Sequence, residues 1–121
     1  MERTTILPSQ DNSICPVART AKIISGKWTL LIIRDLASGV KRFNQLERSL
    51  GGISPKTLSE RLRYLEEHGI VHRQTFAEVP PRVEYALSER GHDLVDVIEC
   101  MRCYGQHWLC GASNSIDSNI Q

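Results

Sequence analysis

The stretch from Ser54 to Leu87 sets the tightest limit on what this chain can fold into. It opens Ser54-Pro55-Lys56-Thr57-Leu58-Ser59-Glu60-Arg61-Leu62-Arg63-Tyr64-Leu65-Glu66-Glu67-His68-Gly69. Serine is a favoured N-cap, and proline fits the first helical position, where no N–H is needed. Leu58, Leu62 and Leu65 recur at i, i+4, i+7, the spacing of one apolar helix face. Gly69 suits the left-handed residue that closes a helix. Two β-like runs follow, 70–76 and 82–87, joined across Pro80-Pro81, which stiffens the tip. A capped polar helix feeding a stiff-tipped ribbon suits a DNA major groove with a wing beside it.

The helix has a definable outward face. At about 100° per residue from Leu58, Lys56, Glu60 and Arg63 fall opposite the apolar stripe. Thr57 and Ser59 fall on its flanks, and Arg61 lies nearer the core edge. The face therefore offers an ammonium, two hydroxyls, a carboxylate and a guanidinium, all partners for base edges or phosphates. The N-terminus at Ser54 adds free N–H groups suited to a phosphate. Arg82, beside the Pro-Pro tip, is a candidate wing cation for the minor groove. Lys27, Lys41 and Arg42 are candidates for backbone contacts, which position a protein without reading sequence. Each pattern has a plainer alternative: a solvated helix face, a solvated turn arginine, a helix-start lysine. The short helix expected before Gly51-Gly52 and the hairpin after Gly69 favour the DNA reading.

Charge points the same way. The 121 residues sum to +1, but residues 15–63 hold ten Lys/Arg against three Asp/Glu. Residues 64–121 hold four against nine. One basic and one acidic half suit a molecule that shows one face to a polyanion. Chance clustering is the alternative, yet the basic half includes most of the polar helix. A protein-binding winged helix without DNA affinity would instead show a neutral or acidic recognition face.

The length argues for one domain. No run of about eighteen apolar residues is present, and the N-terminus lacks the apolar stretch of a signal peptide, so a cytoplasmic protein without a membrane span is expected. Residues 1–14 read as a flexible arm, 15–110 as the domain and 111–121 as a disordered tail. Pro16 opens a first helix that runs to Gly26. Trp28, Leu30, Leu31, Ile32, Ile33 and Leu36 make the next one a core helix. Lys41-Arg42 reads as an extended link. Phe43, Leu46 and Leu50 mark a short third helix. After the hairpin, Ser88 caps one long last helix to about Trp108, with a stripe of Leu94, Val97/Ile98, Met101 and Gly105/Trp108. The expected fold is mainly α with a small β-hairpin: a winged helix-turn-helix whose N- and C-terminal helices serve dimerisation.

Several motifs together resemble the HxlR family of bacterial and archaeal transcription regulators, which are related in fold to MarR proteins. They are Cys15-Pro16-Val17, Ser25-Gly26-Lys27-Trp28-Thr29, Arg42-Phe43-Asn44-Gln45-Leu46, Gly52-Ile53-Ser54-Pro55-Lys56-Thr57-Leu58, Leu62-Arg63-Tyr64-Leu65-Glu66 and Val83-Glu84-Tyr85-Ala86-Leu87. The resemblance covers about residues 15–109. It implies a homodimer joined through the first and last helices, and double-stranded operator DNA as partner. It places a recognition helix at 54–68 and a wing near Pro80–Arg82. Operators of such dimers are roughly palindromic, with half-sites about 10 bp apart. Family habit favours repression.

Some members of that family sense oxidants or electrophiles through a cysteine just before the first helix, the position of Cys15. A helix N-terminus favours a thiolate there. The outcome is a sulfenic acid, an inter-subunit disulfide or an electrophile adduct. The alternative is a small buried cap residue with no sensing role. Cys100, Cys103, His107 and Cys110 recur along the last helix. One straight helix cannot wrap a tetrahedral ion, its outer pair being about 15 Å apart; Cys103 and His107, at i, i+4, offer two ligands only if a second copy supplies the rest, and the lining of a dimer seam is the favoured reading. Cys100, Cys103 or Cys110 of a second copy are candidate disulfide partners for Cys15. Response to a small ligand or metal instead of redox stays open. No nucleotide loop, paired carboxylates or Ser-His-Asp arrangement is present, so neither an enzyme nor a cofactor is expected.

Overall fold

The computed structural model describes residues 14–110. The expected arm, apart from Ile14, and the expected tail lie outside them. The elements run α1 (Pro16–Ile24), α2 (Lys27–Leu36), β1 (Lys41–Arg42), α3 (Phe43–Ser49), α4 (Pro55–Glu67), β2 (Val71–Phe76), β3 (Arg82–Leu87), α5 (Glu89–Asp93) and α6 (Val95–Trp108). The three strands form one antiparallel sheet in the order β1-β3-β2. This is a winged helix-turn-helix, helical for most of its length, as the sequence leads one to expect.

Two features differ from that expectation. Lys41-Arg42 is a third strand and not a bare link: Lys41 pairs with Tyr85 and Arg42 with Glu84. The last helix is two helices. Ser88 caps the first, accepting from Gly91 N at 3.0 Å. At Leu94 ψ opens to −13° and its N–H bonds only three residues back, to Gly91 O. That tightened turn breaks the helical ladder, so α5 stays against the sheet while α6 departs to pack on α2.

The core joins Ile32, Ile33 and Leu36 of α2, Leu46 of α3, and Leu58, Leu62 and Leu65 of α4 to Leu50, Ile53, Ile70, Val71 and Leu87. Each such side chain contributes about 1.5–3 kcal/mol of burial. α2 is less wholly enclosed than its composition suggests. Its inner face includes the fully buried Thr29, while Trp28, Leu30 and Leu31 are half-buried. Ser49 of α3 donates to the carboxylate of Asp35 at 2.5 Å, and Arg34 holds that carboxylate at 2.8 Å. The short helix α3 is thereby pinned to α2, and the turn it starts presents α4.

Candidate nucleic-acid interface

Local chemistry fixes α4 at both ends. Thr57 N donates to Ser54 Oγ at 3.1 Å, and Pro55 fills the first helical position. At the other end Gly69 takes φ +75°, Ile70 N reaches Leu65 O at 2.9 Å and Gly69 N reaches Glu66 O at 3.1 Å. This pair of bonds with a left-handed glycine closes the helix, and the buried Leu65 and Ile70 accompany it. Leu58, Leu62 and Leu65 then aim one face into the core.

On the opposite face Lys56, Ser59, Glu60 and Arg63 are exposed. No ion pair among the described residues engages Lys56, Glu60 or Arg63. Their charges are free to meet a partner. Thr57 is half-buried, and Ser54 donates to its hydroxyl at 3.0 Å. Ser54 Oγ is thereby engaged with Thr57 twice, through the helix N–H and through the hydroxyl. Arg61 turns toward α1: its guanidinium lies 5.3 Å from the Tyr64 ring centroid, and Tyr64 donates to Lys22 O at 3.2 Å.

The wing meets the start of α3. Arg42, Phe43 and Asn44 line a cleft whose other wall is the wing, Glu78 to Val83. Arg42 is exposed, and its backbone N–H donates to Gln45 Oε1 at 2.8 Å, which caps α3. Lys41 is half-buried and donates to Ser38 Oγ at 3.1 Å. Asn44 and Arg48, both exposed on α3, were not singled out by the sequence. Their positions off the Phe43-Leu46-Leu50 stripe are the signal that marks them.

Arg82 departs from the picture of a free wing cation. Its two terminal nitrogens donate to Glu84 and Glu78, each at 2.8 Å, and its guanidinium lies over the Phe76 ring. Val79 at the tip is fully exposed. Lys27 is set apart as well. It stacks 4.6 Å from the Trp28 ring centroid and lines a groove with Leu30, Leu31, Ile98 and Met101, between α2 and α6. None of the residues lining that groove belongs to α3, α4 or the wing.

The remaining sequence candidates are the cysteines. Cys15 is the N-cap residue of α1, half-buried, with no capping bond from its side chain. Cys100, Cys103 and Cys110 are exposed free thiols. Cys103 donates to Glu99 Oε2 at 3.7 Å, and the Arg102 guanidinium beside Glu99 holds that carboxyl below its ordinary value. Among the described residues no group of three or more His, Cys, Asp or Glu side chains is placed to hold a metal.

The HxlR-like helix-turn-helix family profile matches residues 23–112, most of the chain. The chain belongs to the HxlR-like helix-turn-helix family. An uncharacterized HTH-type transcriptional regulator from Synechocystis is 44% identical over 96 residues, which is 79% of this chain and 71% of that protein. The structure of the redox regulator HypR in its oxidized form superposes with a TM-score of 0.75 at 38% identity, covering 80% of this chain and all of that one. The reduced form of the transcriptional regulator YodB from Bacillus subtilis superposes with a TM-score of 0.68 at 36% identity, covering 78% and 94%. This HxlR member is thus a DNA-binding transcriptional regulator of helix-turn-helix type and not an enzyme. No described helix is long and apolar enough to cross a membrane.

Proposed function

We propose that this HxlR protein binds a specific operator as a homodimer, represses from it, and is switched by oxidants or electrophiles at Cys15. The observation that carries the DNA part is the face of α4. Lys56, Thr57, Ser59, Glu60 and Arg63 are presented together, with Ser54 at the helix start, while Arg42 stands at the start of α3 facing the wing. Lys41 and Arg42 supply backbone contacts, while Arg82 shapes the wing.

Dimerisation is supported by what α1 and α6 leave uncovered. Neither helix has a buried residue. Ile14 and Val17 at one end, and Met101, Tyr104, Trp108 and Leu109 at the other, are exposed apolar side chains. Apolar surface on this scale is what a second subunit covers. A two-fold dimer sets two copies of α4 on successive major-groove faces, and such a dimer seated over a promoter excludes polymerase.

Redox control is supported by the placement of Cys15 on α1, next to that uncovered surface, and by the likeness to HypR. An oxidant such as a peroxide converts the Cys15 thiolate to a sulfenic acid. A thiol from α6 of the second copy then displaces water from it to form a disulfide. The test is a gel shift on the intergenic DNA beside the protein's own gene, with and without diamide. Salt-sensitive retardation that diamide abolishes supports the proposal. A flat result on every neighbouring fragment contradicts it.

A further inference from the structure

Glu60 points almost directly away from the core, roughly 200° around the helix from Leu58. It is exposed. Lys56 lies one turn before it and Arg63 one turn after, yet no ion pair among the described residues neutralises its carboxylate. The ridge continues to Glu67, but that residue stands in the last turn of α4. A recognition helix contacts bases with its N-terminal part, which brings Glu60 within reach and leaves Glu67 outside.

An unneutralised carboxylate is an odd group to bring to DNA. Every phosphate repels it. The hydroxyls, the ammonium and the guanidinium beside it can gain from the backbone at any sequence. An ionised carboxylate only accepts hydrogen bonds, and the major groove offers donors only at cytosine N4 and adenine N6. Of the two, adenine sets an acceptor, N7, beside its donor, which a carboxylate meets unfavourably. Cytosine presents the N4 amine without an adjacent acceptor on the same base. The group therefore weakens binding to all sequences and recovers that loss only opposite cytosine.

We propose that Glu60 is a specificity-determining residue, which reads one C·G pair in each half-site by accepting from cytosine N4. This rests on the reading of α4 as the sequence-specific recognition helix. Glutamine at the same place both donates and accepts, which matches adenine N6 and N7. Alanine does neither.

The experiment selects bound duplexes from a randomised library with the reduced full-length protein, wild type, Glu60→Gln and Glu60→Ala. Glu60 is exposed, so both variants are expected to keep the wild-type melting temperature. Wild type is expected to enrich cytosine at one symmetric position. Glu60→Gln should move that preference to adenine, with a change of roughly ten-fold in relative affinity. Glu60→Ala should lose the preference there and bind non-operator duplex more tightly than wild type. Unchanged base preferences in both variants overturn the assignment of Glu60 while leaving the recognition helix in place. A wild-type protein that enriches no sequence overturns the sequence-specific reading, and this proposal with it.

Discussion

Arg82 and Phe76 face each other as cross-strand partners at the mouth of the wing, with the guanidinium 3.9 Å from the ring centroid. Glu78 and Glu84 hold the same guanidinium from two sides. The ribbon from Phe76 to Glu84 thus carries one cation against two carboxylates, and that cation is engaged within the wing. If the clamp persists on DNA, Arg82→Ala weakens operator binding without removing a phosphate contact. The slope of log K against log salt should then change by far less than the roughly one unit that a lost phosphate contact gives. The triple variant with Glu78→Gln and Glu84→Gln should recover most of the affinity. A slope reduced by about one, with no recovery in the triple variant, would place Arg82 on a phosphate instead.

The packing of α5 on the sheet makes a second, purely structural prediction. A Cβ built on Gly91 would lie 2.2 Å from the backbone oxygen of Ile70. Backbone cannot step aside as a flexible side chain can. Gly91→Ala is expected to cost about 1–3 kcal/mol by overpacking, read as a lower urea midpoint. A variant as stable as wild type would show that α5 can slide on the sheet.

Much of this architecture is legible in the sequence because its determinants are local. Ser54, Pro55 and Gly69 bound α4 and Ser88 starts α5 by contacts within a few residues, and the spacing of the leucines shows which face of α4 turns to the core. The pairing of Lys41-Arg42 with β3 is not legible, since two residues carry no alternation and the partner lies some forty positions on. The break at Leu94 has no Pro or Gly at the break itself. It arises because Gly91 seats α5 against Ile70 while α6 follows α2. The Arg82 clamp depends on where three long side chains meet, which composition at the tip does not specify. Charge groups Lys27 with the candidate DNA contacts, while its place beside Met101 follows from the packing of α6 on α2, which the sequence does not display.

The uncovered face of α6 makes a third prediction. Met101 and Trp108 lie seven residues apart, on one side of α6, and are exposed. Met101→Asp places a charge in the proposed seam without disturbing the core of the subunit. Light scattering should report a dimer for wild type and a monomer for the variant, with circular dichroism unchanged and operator affinity reduced by two orders of magnitude or more, as expected when linked half-site binding is lost. A variant that remains dimeric would move the interface elsewhere.

Cys15 is the fourth test. Cys15→Ser keeps the size of the side chain at the start of α1, so operator binding under reducing conditions should match wild type. Diamide should release wild type from the operator and leave the variant bound. Non-reducing electrophoresis should show a cross-linked dimer for wild type alone. Release of the variant by diamide to the same extent would remove Cys15 from the switch and turn attention to Cys100, Cys103 and Cys110.

If the outward face of α4 holds the operator, Lys56→Ala/Arg63→Ala must change both affinity and salt dependence on the wild-type operator, measured by fluorescence anisotropy. Both residues are exposed, so the variant should melt as wild type does. Losing an arginine that contacts a base edge costs about 1–3 kcal/mol, and losing a phosphate lysine flattens the salt slope by about one. Operator affinity is therefore expected to fall at least ten-fold, with a shallower slope. A folded double variant that binds with wild-type affinity and slope would contradict the assignment of α4 as the recognition helix.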